Sequence, residues 1–248
     1  MKTLVVVPTY NEKENIGVLI DRVLNVYPEI EILVVDDNSP DGTAELVRCY
    51  AEKNEKVHLL ERLGKNGIGP AYIAGFKWAL DRDYEVMMEM DADLSHRPRY
   101  IPQFLEKLKE YDLVAGSRWI RGGRIVNWSF SRVLLSRLAN LYSKWVLGVN
   151  IYDLTGGFTC YRRSVIESID LDRIHSDGYS FQIEMKYRAL QKGFRLVEVP
   201  IQFTDRKAGT SKISEMIFWE ALFIVWKLRF STPEPQEKRV CDTEVVTK

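Results

Sequence analysis

The sequence has little cysteine, no imbalance of charge and no apolar run as long as a membrane span. Three cysteines, Cys49, Cys160 and Cys241, lie far apart in 248 residues. Their odd number and wide spacing exclude a disulfide framework and a Cys-x-x-Cys metal site, which suits a reducing compartment. Lys plus Arg and Asp plus Glu both total 35, so net charge gives no reason to expect nucleic acid as a partner. Electrostatic recognition must come from local clusters. Glycine and proline are not in excess, which excludes collagenous and low-complexity chains. The apolar run at residues 4–7 stops at Pro8, too short for a signal-peptide core, and reads as a buried strand. The expectation is a cytosolic protein.

What is present is a patterned α/β chain. With 46% hydrophobic residues it can fill one large core or at most two small ones. Short apolar runs at 4–7, 30–35, 57–60 and 86–90 alternate with helical patterns at 14–26, 43–53 and around 71–81. In the first helix Ile16, Leu19, Ile20, Val23 and Leu24 recur at helical spacing. This alternation predicts βαβ units, a Rossmann-like fold and a mainly parallel central sheet. Right-handed crossovers put the strands' carboxyl ends on one edge, where ligands bind.

Three polar clusters follow strands immediately: Pro8-Thr9-Tyr10-Asn11-Glu12, Asp36-Asp37-Asn38-Ser39 and Asp91-Ala92-Asp93. All three should converge on that edge. Asp91 and Asp93 offer hard oxygen ligands suited to Mg²⁺ or Mn²⁺ bridging a diphosphate, although an isolated Asp-x-Asp can equally be a solvated turn. An Asx turn capping the next helix accounts for Asp41 and can account for Asp36. Asp37 is then free to accept hydrogen bonds from a base or ribose. Tyr10 can lay a flat face against a base or simply pack at the rim.

These clusters, with Gly116-Ser117-Arg118, Asp153-Leu154-Thr155-Gly156-Gly157-Phe158, Gly178-Tyr179-Ser180-Phe181-Gln182 and Asp205-Arg206-Lys207-Ala208-Gly209-Thr210-Ser211-Lys212, resemble the family-2 inverting glycosyltransferases. More narrowly they are similar to dolichol- or polyprenol-phosphate mannose synthases, from about residue 3 to 230. The resemblance implies a GT-A type domain in which Pro8, Tyr10, Glu12, Val35 and Asp37 hold the donor's base and ribose. It implies that Asp91, Ala92 and Asp93 line the diphosphate site, with Asp93 a metal ligand. Arg118, Arg206 and Lys212 would contact phosphates or sugar. Ser95 stands where some relatives have a metal-binding Gln. Its shorter side chain leaves a gap that water can fill, and it marks the branch without transmembrane helices.

The implied reaction moves mannose from GDP-mannose to dolichyl or polyprenyl phosphate with inversion. A phosphate monoester has a second pKa of about 6, so the acceptor is already an anionic nucleophile at neutral pH. Catalysis can then rest on positioning and on neutralising the departing diphosphate. A UDP-glucose-dependent dolichyl-phosphate glucosyltransferase is the alternative of the same fold, and a non-catalytic nucleotide-sugar-binding subunit is the alternative of another class.

Two segments bear on the lipid. In residues 127–148, Val133, Leu134, Leu138, Leu141 and Trp145 recur at helical spacing with Arg132, Arg137 and Lys144 between them. Such a helix either packs its stripe on the sheet or lies among headgroups, with Arg132 or Arg137 meeting the lipid phosphate. Residues 213–230 are more apolar, but as a helix would reach only about 27 Å, and Glu220 lies near the centre. An amphipathic helix docked on a membrane surface or on a small membrane-protein anchor is expected, with burial on the catalytic domain the alternative. The expected organisation is a catalytic domain at 1–212, this docking helix at 213–230 and a polar, disordered tail at 231–248, the whole peripheral on the cytosolic face of a membrane.

Overall fold

The computed structural model describes residues 1–205 and 215–230, with side chains of the last stretch described from residue 223 onward. The amino-terminal half alternates β1 (Thr3–Thr9), α1 (Lys13–Val26), β2 (Glu31–Asp36), α2 (Thr43–Ala51), β3 (Val57–Glu61), α3 (Ile68–Leu80) and β4 (Val86–Glu89). Then come α4 (Ile101–Lys107), β5 (Leu113–Ser117), β6 (Arg124–Val126), α5 (Phe130–Leu147), β7 (Thr159–Arg162) and α6 (Arg163–Ser168). The chain continues through α7 (Gly178–Gln191), β8 (Leu196–Pro200), β9 (Gln202–Thr204) and α8 (Glu215–Phe230).

Seven strands form one sheet in the order β3-β2-β1-β4-β7-β5-β8, and β6 pairs with β9 alongside it. All neighbours in the large sheet run parallel except β7, which is antiparallel to both β4 and β5. The sheet is buried on both faces, and β1 shows why its sequence is apolar without a break. Leu4 and Val6 join one core cluster and Val5 and Val7 the other.

Element ends differ from the sequence reading for local reasons. Helix α3 begins at Ile68, earlier than expected, because Asp177 from the far end of the chain accepts from Gly69 N at 2.7 Å and caps its first turn. Gly67 precedes it with φ +98°, and a Cβ there would lie 2.2 Å from Asp177 Oδ2. Strand β4 ends at Glu89, so Met90 is already part of the turn carrying Asp91. Helix α2 stops at Ala51, short of residue 53.

Helix α5 does not pack its leucine stripe on the sheet. Asn140, Ser143, Val146 and Leu147 face inward, whereas Leu134, Leu138, Leu141 and Trp145 are exposed. Helix α8 packs against α5 and α7, burying Val225 and Leu228 while Phe223, Trp226 and Phe230 stay exposed. Among the described residues no helix is long and apolar enough to cross a membrane. The expected tail at 231–248 lies outside the described residues.

Candidate active site

The loop after β4 is built to present carboxylates. Asp91 Oδ1 accepts from the Tyr72 hydroxyl at 3.0 Å, and Asp91 N donates to His96 Nδ1 at 3.1 Å. That bond makes Nδ1 an acceptor, so a neutral His96 carries its proton on Nε2. The ring stacks on Phe158 at 5.1 Å. Burial, reinforced by the neighbouring Asp91, pushes the Tyr72 phenol far above its ordinary range and keeps it a donor. Asp93 Oδ1 accepts from Ser95 N at 3.0 Å, and Leu94 between them takes φ +63°. This is an Asx turn that fixes the second carboxylate at the rim. The Ser95 hydroxyl is buried with no hydrogen-bond partner.

Arg118, at the end of β5, is clamped by Asp153. Its Nε donates to Oδ2 at 2.7 Å and its Nη2 to Oδ1 at 2.6 Å, and its backbone N also reaches Oδ2 at 2.9 Å. Burial alone would raise the Asp153 carboxyl, but the guanidinium and these bonds hold it below the ordinary carboxylate range. Nη2 donates further to Thr155 Oγ1 at 2.8 Å. Arg132, from the first turn of α5, lies over the Trp128 ring at 4.1 Å and donates to Asp205 Oδ1 at 2.9 Å.

These groups share one cavity of about 190 Å³, with Asp91, Asp93, Arg118, Trp128, Arg132 and Thr155 in its lining. Carboxylates and guanidiniums thus line one space large enough for a sugar or phosphate group. Ala92 is buried between the two aspartates. Arg137 is exposed on α5 and does not line the cavity, so the structure separates it from Arg132. Arg206 and Lys212 lie outside the described residues.

At the other end of the sheet edge stand the residues assigned to the base and ribose. Pro8 pairs in register with Val35, whose side chain is fully buried, so contact to a ligand there would fall to backbone. Glu12 takes a bond from Asn15 Nδ2 at 2.8 Å, and its N donates to Thr43 Oγ1. Tyr10 is exposed with Lys65 Nζ 4.2 Å above its ring, a cation the sequence reading did not single out. Asp37 takes no part in the turn that Asp36 caps, and it already has protein neighbours. Asn66 N donates to Oδ2 at 3.1 Å, and Arg62 Nη1 lies 3.1 Å from Oδ1 as an ion contact without hydrogen-bond alignment. Burial raises its carboxyl despite those two partners. Asp36 and Asp41 do serve local turns: Asp36 accepts from Ser39 and Thr9, and Asp41 from Lys13 N and Thr43.

With this geometry in view, comparison with known proteins gives the class. The glycosyl transferase family 2 model matches residues 4–170, and the chain belongs to that family. Similar proteins include the polyprenol monophosphomannose synthase of Mycolicibacterium smegmatis, 47% identical over 92% of this chain and 88% of that protein. The undecaprenyl-phosphate mannosyltransferase of Micrococcus luteus is 46% identical over 90% of this chain and 91% of that protein. Among solved structures, glucosyl-3-phosphoglycerate synthase from Mycobacterium tuberculosis, in complex with Mn²⁺, UDP and glucosyl-3-phosphoglycerate, superposes with a TM-score of 0.64 at 16% identity, over 92% of this chain and 79% of that one. A mannosyltransferase from Pyrobaculum calidifontis with GDP-Man and Mn²⁺ gives 0.58 at 17% identity, over 93% and 70%. At such identities these two likenesses speak for the fold, the GT-A arrangement expected from the sequence.

Proposed function

We propose that this chain transfers mannose from GDP-mannose to a polyprenyl phosphate with inversion at the anomeric carbon. The observation that carries the reading is one cavity lined by Asp91 and Asp93 together with Arg118 and Arg132, the latter paired with Asp205. An acidic wall suits a metal-bridged diphosphate, and a basic wall suits the phosphate that attacks. The same juxtaposition argues against a non-catalytic subunit, which has no need of two charged walls. The names of the two bacterial relatives supply the mannose and the polyprenyl acceptor.

The residues fit a divalent ion, Mg²⁺ or Mn²⁺. Asp93 would hold it, with Asp91 beside it and the unpartnered Ser95 hydroxyl within the same turn. Among the described residues no cluster of His, Cys, Asp and Glu makes a closed protein cage. An octahedral ion that takes one or two carboxylates and fills its shell with phosphate and water agrees with that donor set. When bound, it would neutralise charge on the departing diphosphate. The protein's own part is to aim the acceptor: Arg118 and Arg132 pair with its phosphate, which at neutral pH needs little help from a general base. Mannosylated lipid should therefore form with a polyprenyl phosphate and not with the free polyprenol.

The exposed faces of α5 and α8 seat the enzyme on the bilayer that contains the acceptor. Leu138, Leu141 and Trp145 are 53%, 62% and 73% exposed on a helix whose first turn supplies Arg132 to the cavity. Each such side chain taken fully out of water is worth about 1.5–3 kcal/mol, enough for reversible binding by a few together. Replacing the three with Ser should leave the fold and GDP affinity unchanged and release the protein from protein-free anionic liposomes. Transfer to long-chain acceptors should fall more than transfer to short ones. Continued sedimentation with those liposomes would contradict this seat, and failure of the wild type to sediment would point instead to a membrane-protein anchor.

A further inference from the structure

Lys186, in the middle of α7, is fully buried. A buried ammonium is costly unless its protons are used, and both of its hydrogen bonds go to backbone carbonyls. Nζ donates to Leu154 O at 3.1 Å and to Gly156 O at 2.5 Å. Burial pulls its pKa down to about 8, against the attraction of Glu89 and Asp153. Two carbonyls, one residue apart, can converge on a single nitrogen only if the backbone curls around it. The residue between them is Thr155.

The other side of the same turn is gripped from α5. Asn140 Oδ1 accepts from Leu154 N at 2.7 Å and from Thr155 N at 3.2 Å. Its Nδ2 donates to Thr155 Oγ1 at 3.0 Å, the hydroxyl that also takes Arg118 Nη2 at 2.8 Å. Thr155 and Gly157 both line the cavity. The turn that Lys186 holds is therefore part of the cavity wall and part of the seat of the Arg118 guanidinium.

We propose that Lys186 is a positioning residue for acceptor recognition, holding the carbonyls of Leu154 and Gly156 so that Thr155 keeps Arg118 aimed into the cavity. The proposal rests on the reading of that cavity as the acceptor-phosphate site. It acts on binding of the phosphate, in a cavity whose lining does not include Pro8, Tyr10 or Val35 at the base and ribose end.

The test uses the chain as it is, with a short water-soluble prenyl phosphate as probe. Lys186→Met should weaken binding of the prenyl phosphate at least tenfold and raise its KM in step, with GDP affinity changed less than twofold. In an Arg118→Lys background the same substitution should add less than twofold to the loss of prenyl phosphate binding, because both changes act through one guanidinium. A merely structural lysine would lower the melting temperature and the active fraction, so that kcat falls while both KM values hold. That pattern, or losses that multiply in the double variant, would overturn the proposal. Should Lys186→Met fail to fold, Lys186→Gln, uncharged and one bond shorter than the lysine that reaches both carbonyls, carries the same expectation. A wild type that neither binds nor mannosylates the prenyl phosphate would instead refute the functional reading, and the role of Lys186 with it.

Discussion

Asp93→Asn should abolish mannosyl transfer while leaving the fold intact. The substitution keeps an oxygen that can accept from Ser95 N, so the Asx turn survives and only the charge is lost. The position is at the rim of the sheet, outside both core clusters. A metal at a departing diphosphate supplies several kcal/mol of charge stabilisation, and each 1.36 kcal/mol is tenfold in rate. A loss of about a thousandfold or more is therefore expected, with an unchanged melting temperature and weaker GDP binding in the presence of Mn²⁺. Wild-type rates in this variant, or in the wild type with excess chelator, would rule out a metal held at Asp93.

Arg118→Met should damage stability and function together, and a second substitution should separate them. The Arg118–Asp153 pair is buried on both sides. Removing one member of such a pair costs about 3–5 kcal/mol, since the other is left as an uncompensated buried charge. The single variant should therefore melt well below the wild type and transfer no mannose. Arg118→Met with Asp153→Asn removes both charges and retains an acceptor for the backbone N–H of residue 118. Thermal denaturation should show much of the stability restored, whereas activity should stay at least a hundredfold down for want of the guanidinium. Recovery of activity along with stability would mean that Arg118 is only a structural partner of Asp153.

Much of the fold was legible because a parallel sheet buried on both faces leaves a plain mark. Runs such as Leu4-Val5-Val6-Val7 followed by a helical pattern have few other readings, and the polar residues that end such strands must share an edge. That logic placed Asp91 and Asp93 correctly relative to the sheet. The direction of β7 was not legible, because four residues carry no signal of polarity along the sheet. Its neighbours β4 and β5 decide it.

Helix α5 had two readings, a stripe packed on the sheet or one left exposed, and the structure shows the second. Its leucines give the period of a buried stripe, yet Asn140 faces inward, because its amide satisfies two backbone N–H groups of a turn that only the tertiary fold brings near. The clamp on Arg118 is likewise hidden, since Asp153 stands 35 residues away in sequence. Lys186 looks like any charged helix position until its burial is seen. Long-range polar pairing leaves no periodicity, and it is what shapes the basic wall of the cavity.

The central claim is tested most directly by offering the purified chain radiolabelled GDP-mannose and UDP-glucose in parallel, each with a polyprenyl phosphate and with the matching unphosphorylated polyprenol. Label should enter the lipid fraction from GDP-mannose, with the phosphate acceptor alone, and disappear with chelator. A higher kcat/KM with UDP-glucose, or equal labelling of the unphosphorylated alcohol, would contradict the account.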